Sequence, residues 1–124
     1  YRGRGVDDYA PEFARLLERA IALADGRAGR VLVLSIPDWG VTPFGLASGR
    51  DVARIGAELD AYNAAAAAGC ARRGVAFVDI TGVSRSLGGQ PDRVAADGLH
   101  PSGLAYADWT ALALPVATRL LAAP

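Results

Sequence analysis

Asp97-Gly98-Leu99-His100-Pro101-Ser102-Gly103 carries the single histidine of the chain, three residues after a carboxylate. That spacing suits a base and the group that orients it. Gly98 is free to adopt φ > 0 and fold the segment back, which brings the carboxylate toward the Nδ1 edge of the imidazole. Pro101 keeps His100 extended and aims its ring out of the helix expected next, while Ser102 is suited to cap that helix. In a nucleophilic triad such a pair takes a proton from a serine, the carboxylate fixing the tautomer of the imidazole. The competing reading is a histidine satisfied by a local aspartate in a turn, and residue chemistry alone does not separate the two.

Serines inside the chain are poor partners for that base. Ser35 is the best placed, at the end of a β-branched run, but it lacks the glycine-flanked sharp turn that exposes a nucleophile, and Pro37 follows closely. Ser84, Ser86 and Ser102 read as turn or cap residues.

The elements that must position these residues follow from hydropathy. From Asp7 or Asp8 to about Asp25, Phe13, Leu16, Leu17, Ala20, Ile21 and Ala24 recur at spacings of three and four, the mark of an amphipathic helix. Pro11 is expected in its first turn behind an aspartate cap, and Gly26 and Gly29 end it. Val31 to Ile36 is a short apolar run without alternation, which predicts a parallel strand buried on both faces. A loop from Pro37 to Gly49 follows. Ser48 and Asp51 then resemble a capping box for a long helix with Val52, Ile55, Leu59, Tyr62, Ala66 and Cys70 along one side. Arg72, Arg73 and Gly74 close it. Val75 to Ile80 predicts a second buried strand, Thr81 to about Pro101 a long loop, and the remainder a final helix to about Leu121.

The strand–helix–strand portion is a βαβ unit with parallel strands. In open α/β sheets the site gathers outside the carboxyl ends of the strands. That places the segment after Ser35 and the loop bearing His100 on one edge. Asp38 and Trp39 fall there as candidate substrate-binding residues, Trp39 to line an acyl or alkyl pocket, with a packing role for that ring as the plainer reading. Asp79 is expected to accept hydrogen bonds from Thr81 or nearby N–H groups, and Cys70 to be a small core residue.

Composition removes several classes of function. Thirteen basic side chains, all arginine, balance thirteen acidic ones, so no net positive field gathers nucleic acid or anionic lipid. One cysteine and one histidine exclude a disulfide framework and the usual metal centres, and no cofactor is implied. The longest apolar stretches are too short to cross a bilayer. Compartment stays open, inclining to the cytoplasm, and so does oligomeric state. The chain contains no methionine, so Tyr1 is not expected to be a translation start. A two-stranded parallel sheet also needs more strands at its open edges. Residues 1–124 are therefore expected to form a single incomplete domain.

The DGLHPSG run resembles the last conserved block of the SGNH or GDSL-type esterase and lipase family, and VLVLSIPDWGVTPFG (Val31 to Gly45) is similar to a strand and loop of its bacterial members. The resemblance implies a three-layer α/β/α, flavodoxin-like fold, of which two parallel strands and three helices are expected here. It also implies that Asp97 and His100 are the acid and base of a triad. Members carry their nucleophile in a Gly-Asp-Ser block, then a glycine and a Gly-x-Asn block that complete the oxyanion hole. None of these blocks occurs here, and the one asparagine, Asn63, lies in the alanine-rich helix. The Tyr1-Arg2-Gly3-Arg4 segment resembles the stretch just after the asparagine block.

The resulting expectation is the C-terminal portion of a serine hydrolase that cleaves small-molecule carboxylic esters through an acyl-enzyme and is inactive as the 124 residues alone. Two alternatives stay open: a non-catalytic βαβ module completing another chain's sheet, and the same family acting on thioesters, acetylated sugars or phosphodiesters. Arg2 and Arg4 are expected on a solvated terminus, with substrate contact as the rival role.

Overall fold

The computed structural model describes residues 5–122, so Arg2 and Arg4 lie outside the described residues. Apolar periodicity becomes three long helices: α1 (Val6–Leu23), α3 (Val52–Arg73) and α5 (Gly103–Ala122). Between them run strands β1 (Leu32–Leu34) and β2 (Ala76–Val78) and two short helices, α2 (Pro43–Ala47) and α4 (Thr81–Leu87). The strands pair in parallel, Leu32 opposite Ala76 and Leu34 opposite Val78, with α3 as the crossover. The chain is α/β and mostly helical around a two-stranded sheet.

Alternation along the strands sends Val33 and Phe77 to one face. There they meet Leu17 and Ile21 of α1 and Cys70 of α3 in the main core cluster. Cys70 is wholly buried, and that burial pushes its thiol pKa up. The opposite face carries Leu34, and α5 lies along it. Helices therefore cover both faces of the sheet. The strands are less covered than their apolar composition predicts, since Leu32 and Val33 are half-buried and Leu34 is exposed. Leu16, expected on the buried side of α1, is also exposed.

Local capping departs from expectation at two helices. Gly5 is the N-cap of α1, and Asp8 reaches back to its N–H from the third helical position, so Pro11 lies beyond the first turn. Asp51 caps α3, accepting from Ala53 N at 3.0 Å and Arg54 N at 3.1 Å. Ser48 instead donates to the Gly45 carbonyl at 2.6 Å. At the far end of α3 the expected glycine stop is present, Gly74 adopting φ +67°.

The segment after β2 differs most from a plain loop. It folds into α4, a 3-10 turn at Pro91–Arg93 and an isolated antiparallel bridge between Val94 and Pro101. Seven residues, with Gly82, Ser84 and Ser86 among them, carry little helical propensity. Tertiary bonds hold α4 instead, through the buried side chains of Thr81 and Ser84. No helix among the described residues is long and apolar enough to cross a membrane.

Candidate active site

The Val94–Pro101 bridge makes residues 93–102 a hairpin. Its stem is closed by Ser102 N donating to Arg93 O (3.0 Å) and by Ala95 N donating to His100 O (2.8 Å). Gly98, at φ +70°, turns the tip, and its N–H reaches Ala95 O. This folds Asp97 back on the residues after it. Its Oδ1 accepts from Leu99 N at 2.9 Å and His100 N at 3.0 Å, and its Oδ2 lies 2.5 Å from His100 Nδ1. The imidazole, followed by the two N–H donors, holds the Asp97 carboxyl at a pKa of about 2. An ionised carboxylate only accepts, so Nδ1 carries the proton and Nε2 is the basic nitrogen. The side chains are 72% and 50% exposed, for His100 and Asp97 respectively, so a hydroxyl has open access to the ring.

With so little packing around the ring, the hairpin must be fixed from its base. Arg93 Nε donates to Asp108 of α5 at 2.6 Å and its Nη1 to the Asp92 side chain at 2.8 Å, while Ser102 Oγ donates to Asp92 O at 2.6 Å. At the tip, Phe44 N in α2 donates to Gly98 O at 3.0 Å. The loop after β1 and the histidine turn are thus joined directly.

A second network locks the carboxyl ends of the strands. Ser35 Oγ lies 3.0 Å from Asp79 Oδ1 and 2.7 Å from Thr81 Oγ1, and accepts from Ile80 N and Thr81 N. Partial burial opposes the charge on Asp79, but bonds from Thr81 and Ser35 outweigh it and hold the carboxyl below its ordinary range. Asn63 clamps the main chain of Ile36 from both sides, accepting from its N–H at 2.8 Å and donating to its carbonyl at 3.2 Å. Its amide also donates to Thr81 Oγ1 at 3.0 Å.

Asp38, expected at the substrate edge, is instead 5% exposed. Its carboxylate accepts from Gly40 N at 2.9 Å and from Arg85 Nε at 2.8 Å, so it braces the turn from within. Arg85 continues to Asp60 at 2.9 Å. Trp39, half-buried, borders an apolar crevice between this turn, α4 and the histidine hairpin, together with Leu99, Pro101 and Trp109. Its ring lies 6.4 Å from that of Phe44 and 5.9 Å from the Arg50 guanidinium, measured between centroids and from Cζ.

The hydroxyls of all five serines are engaged away from His100. Ser48, Ser84, Ser86 and Ser102 donate to the main-chain carbonyls of Gly45, Thr81, Gly82 and Asp92, and Ser35 is buried in its network. Four participants escape sequence reasoning. Asn63 left one trace, a polar residue on the apolar stripe between Leu59 and Ala66. Arg93 and Asp108 are fifteen residues apart and leave no local pattern, and neither does the main-chain bond from Phe44.

A carboxylate-fixed imidazole with an open Nε2, at the carboxyl end of a parallel sheet, has the chemistry to take a proton from a hydroxyl and return it. No curated protein and no solved structure matches the chain. The sequence profile of the GDSL-like Lipase/Acylhydrolase family matches residues 1–107, a span that includes the strands, the Trp39 turn and the whole histidine hairpin. The chain belongs to that family of esterases and acylhydrolases.

Proposed function

We propose that Asp97 and His100 are the acid–base half of a serine-hydrolase triad whose nucleophile and oxyanion donors are supplied by polypeptide outside these 124 residues. The observation that carries this reading is the 2.5 Å contact between Asp97 Oδ2 and His100 Nδ1 on an exposed hairpin. The engagement of every serine in the chain elsewhere supports an external hydroxyl.

His100 Nε2 takes the proton of that serine as it attacks the ester carbonyl. The tetrahedral intermediate collapses, and the imidazolium returns the proton to the departing alcohol. Water then enters and attacks the acyl carbonyl as it gives a proton to Nε2, and the acid is released as the imidazolium returns that proton to the serine oxygen. Asp97 keeps Nδ1 protonated and stabilises the imidazolium, while Trp39 borders the substrate and Asp38 secures its turn. Esters of small or medium acyl chains are the substrate class.

Removing a nucleophile costs a triad about 10⁶-fold, and each oxyanion donor about 10²–10³ more. The 124 residues alone therefore turn over no ester. With only two strands among the described residues, β1 has no strand on its outer edge, which supports the same incompleteness and equally a sheet-completing module without catalysis. A p-nitrophenyl butyrate assay of this chain beside a front-extended protein tests the reading. Turnover by the extended protein alone is the expected result. Turnover by the 124 residues alone, or by neither protein, contradicts it.

A further inference from the structure

We infer that Trp39 and Phe44 form a shelf that binds the aliphatic chain of the ester, with Phe44 as the residue that sets chain-length preference. This rests on the triad reading and extends it to the apolar part of the substrate.

Phe44 is 44% exposed at the surface, a large aromatic left out of the core. Its position is nonetheless tightly determined. Thr42 Oγ1 donates to Trp39 O at 2.7 Å and accepts from Gly45 N at 3.1 Å, which folds α2 onto the Trp39–Val41 turn. Gly45 makes that approach possible, because a Cβ there would collide with Trp39 O and lie 2.9 Å from Gly40 Cα. The two rings lie side by side, centroids 6.4 Å apart and tilted by 51°, and the Phe44 N–H holds the carbonyl of Gly98 inside the Asp97–His100 turn. An aromatic pair of one exposed and one half-buried ring, fastened to the turn that carries the base, is placed to receive what is attached to the scissile group. The other exposed apolar side chains beside the sheet, Leu34, Tyr106 and Leu114, line a separate groove along α5.

Burial of about two methylenes of an aliphatic chain on the shelf gives about tenfold in affinity. The test measures kcat/KM of the full-length protein on p-nitrophenyl acetate, butyrate and octanoate, and on ethyl and octyl acetates. Phe44→Ser is expected to lower the long-to-short ratio about tenfold in one of the two series, chiefly through KM. Phe44→Leu is expected to keep most of the ratio, and Leu23→Ser, on α1, all of it. A drop in the acyl series assigns the shelf to the acid part, and a drop in the alkyl series to the alcohol part. A wild-type ratio in both series for Phe44→Ser overturns the shelf while leaving the triad standing. Full turnover by His100→Ala, measured alongside, overturns the triad itself and the inference that depends on it.

Discussion

Arg93 Nε lies 2.6 Å from Asp108 Oδ2, and this ion pair joins the stem of the His100 hairpin to α5. Both side chains are mostly shielded, whereas the histidine they support is exposed. The orientation of the ring is therefore inherited from the hairpin, and the hairpin's from its base.

Breaking that pair should disturb chemistry more than binding. Displacements of about 1 Å at a reacting group cost about 10²-fold in rate. Arg93→Ala in the full-length protein is expected to lower kcat by about that factor with little change in KM, and Arg93→Lys, which keeps the charge but loses the fork, by less. Asp108→Ala should resemble Arg93→Ala, and the double variant should be no worse than either single one. Steady-state kinetics on one ester checks all three.

Asp97→Asn preserves shape but not the acceptor pair that fixes the tautomer. A loss of about 10⁴-fold in kcat is the expected outcome. Asp97 is held at a pKa of about 2 by His100 and by two main-chain N–H groups, so it stays ionised throughout mildly acidic conditions. Protonation of Asp97 therefore contributes nothing to the pH dependence of kcat/KM across mildly acidic conditions. A pH profile of the wild-type protein supplies that check.

The same depression has a consequence for stability. A carboxyl with its folded pKa below the ordinary 3.8 adds stability that is fully present above pH 3.8 and is lost as pH falls toward about 2. Denaturant midpoints of wild type and Asp97→Asn are expected to differ at pH 5 and to converge near pH 2, with a small difference because the group is exposed.

Asn63→Leu removes the clamp on Ile36 and leaves a main-chain N–H in a half-buried site without its partner. An unsatisfied buried donor costs about 1–3 kcal/mol, and that is the destabilisation expected in urea unfolding. Thr81→Val, which removes the hydroxyl bonded to the other side of Ile36, should cost a comparable amount.

What the sequence revealed were features written within a few residues. The βαβ order, the glycine stop of α3 and the Asp97–His100 turn all depend on local spacing, and they are found where that spacing puts them. The misses have the opposite origin. Thr81–Leu87 has little helical propensity of its own and is held by bonds to distant residues, so it reads as loop. Asp38 sits on a loop at the strand ends and reads as a substrate-binding residue, yet it is buried and paired with Arg85, forty-seven residues later. Phe44 reads as one more loop residue until a main-chain bond brings it to Gly98.

The central claim is that His100 is the base of an ester hydrolase, and replacing its side chain in the full-length protein addresses it most directly. His100→Ala should retain the wild-type unfolding free energy within about 1 kcal/mol, since the ring is exposed, while kcat on p-nitrophenyl butyrate falls by at least about 10³-fold. A folded His100→Ala protein with undiminished turnover would contradict the account.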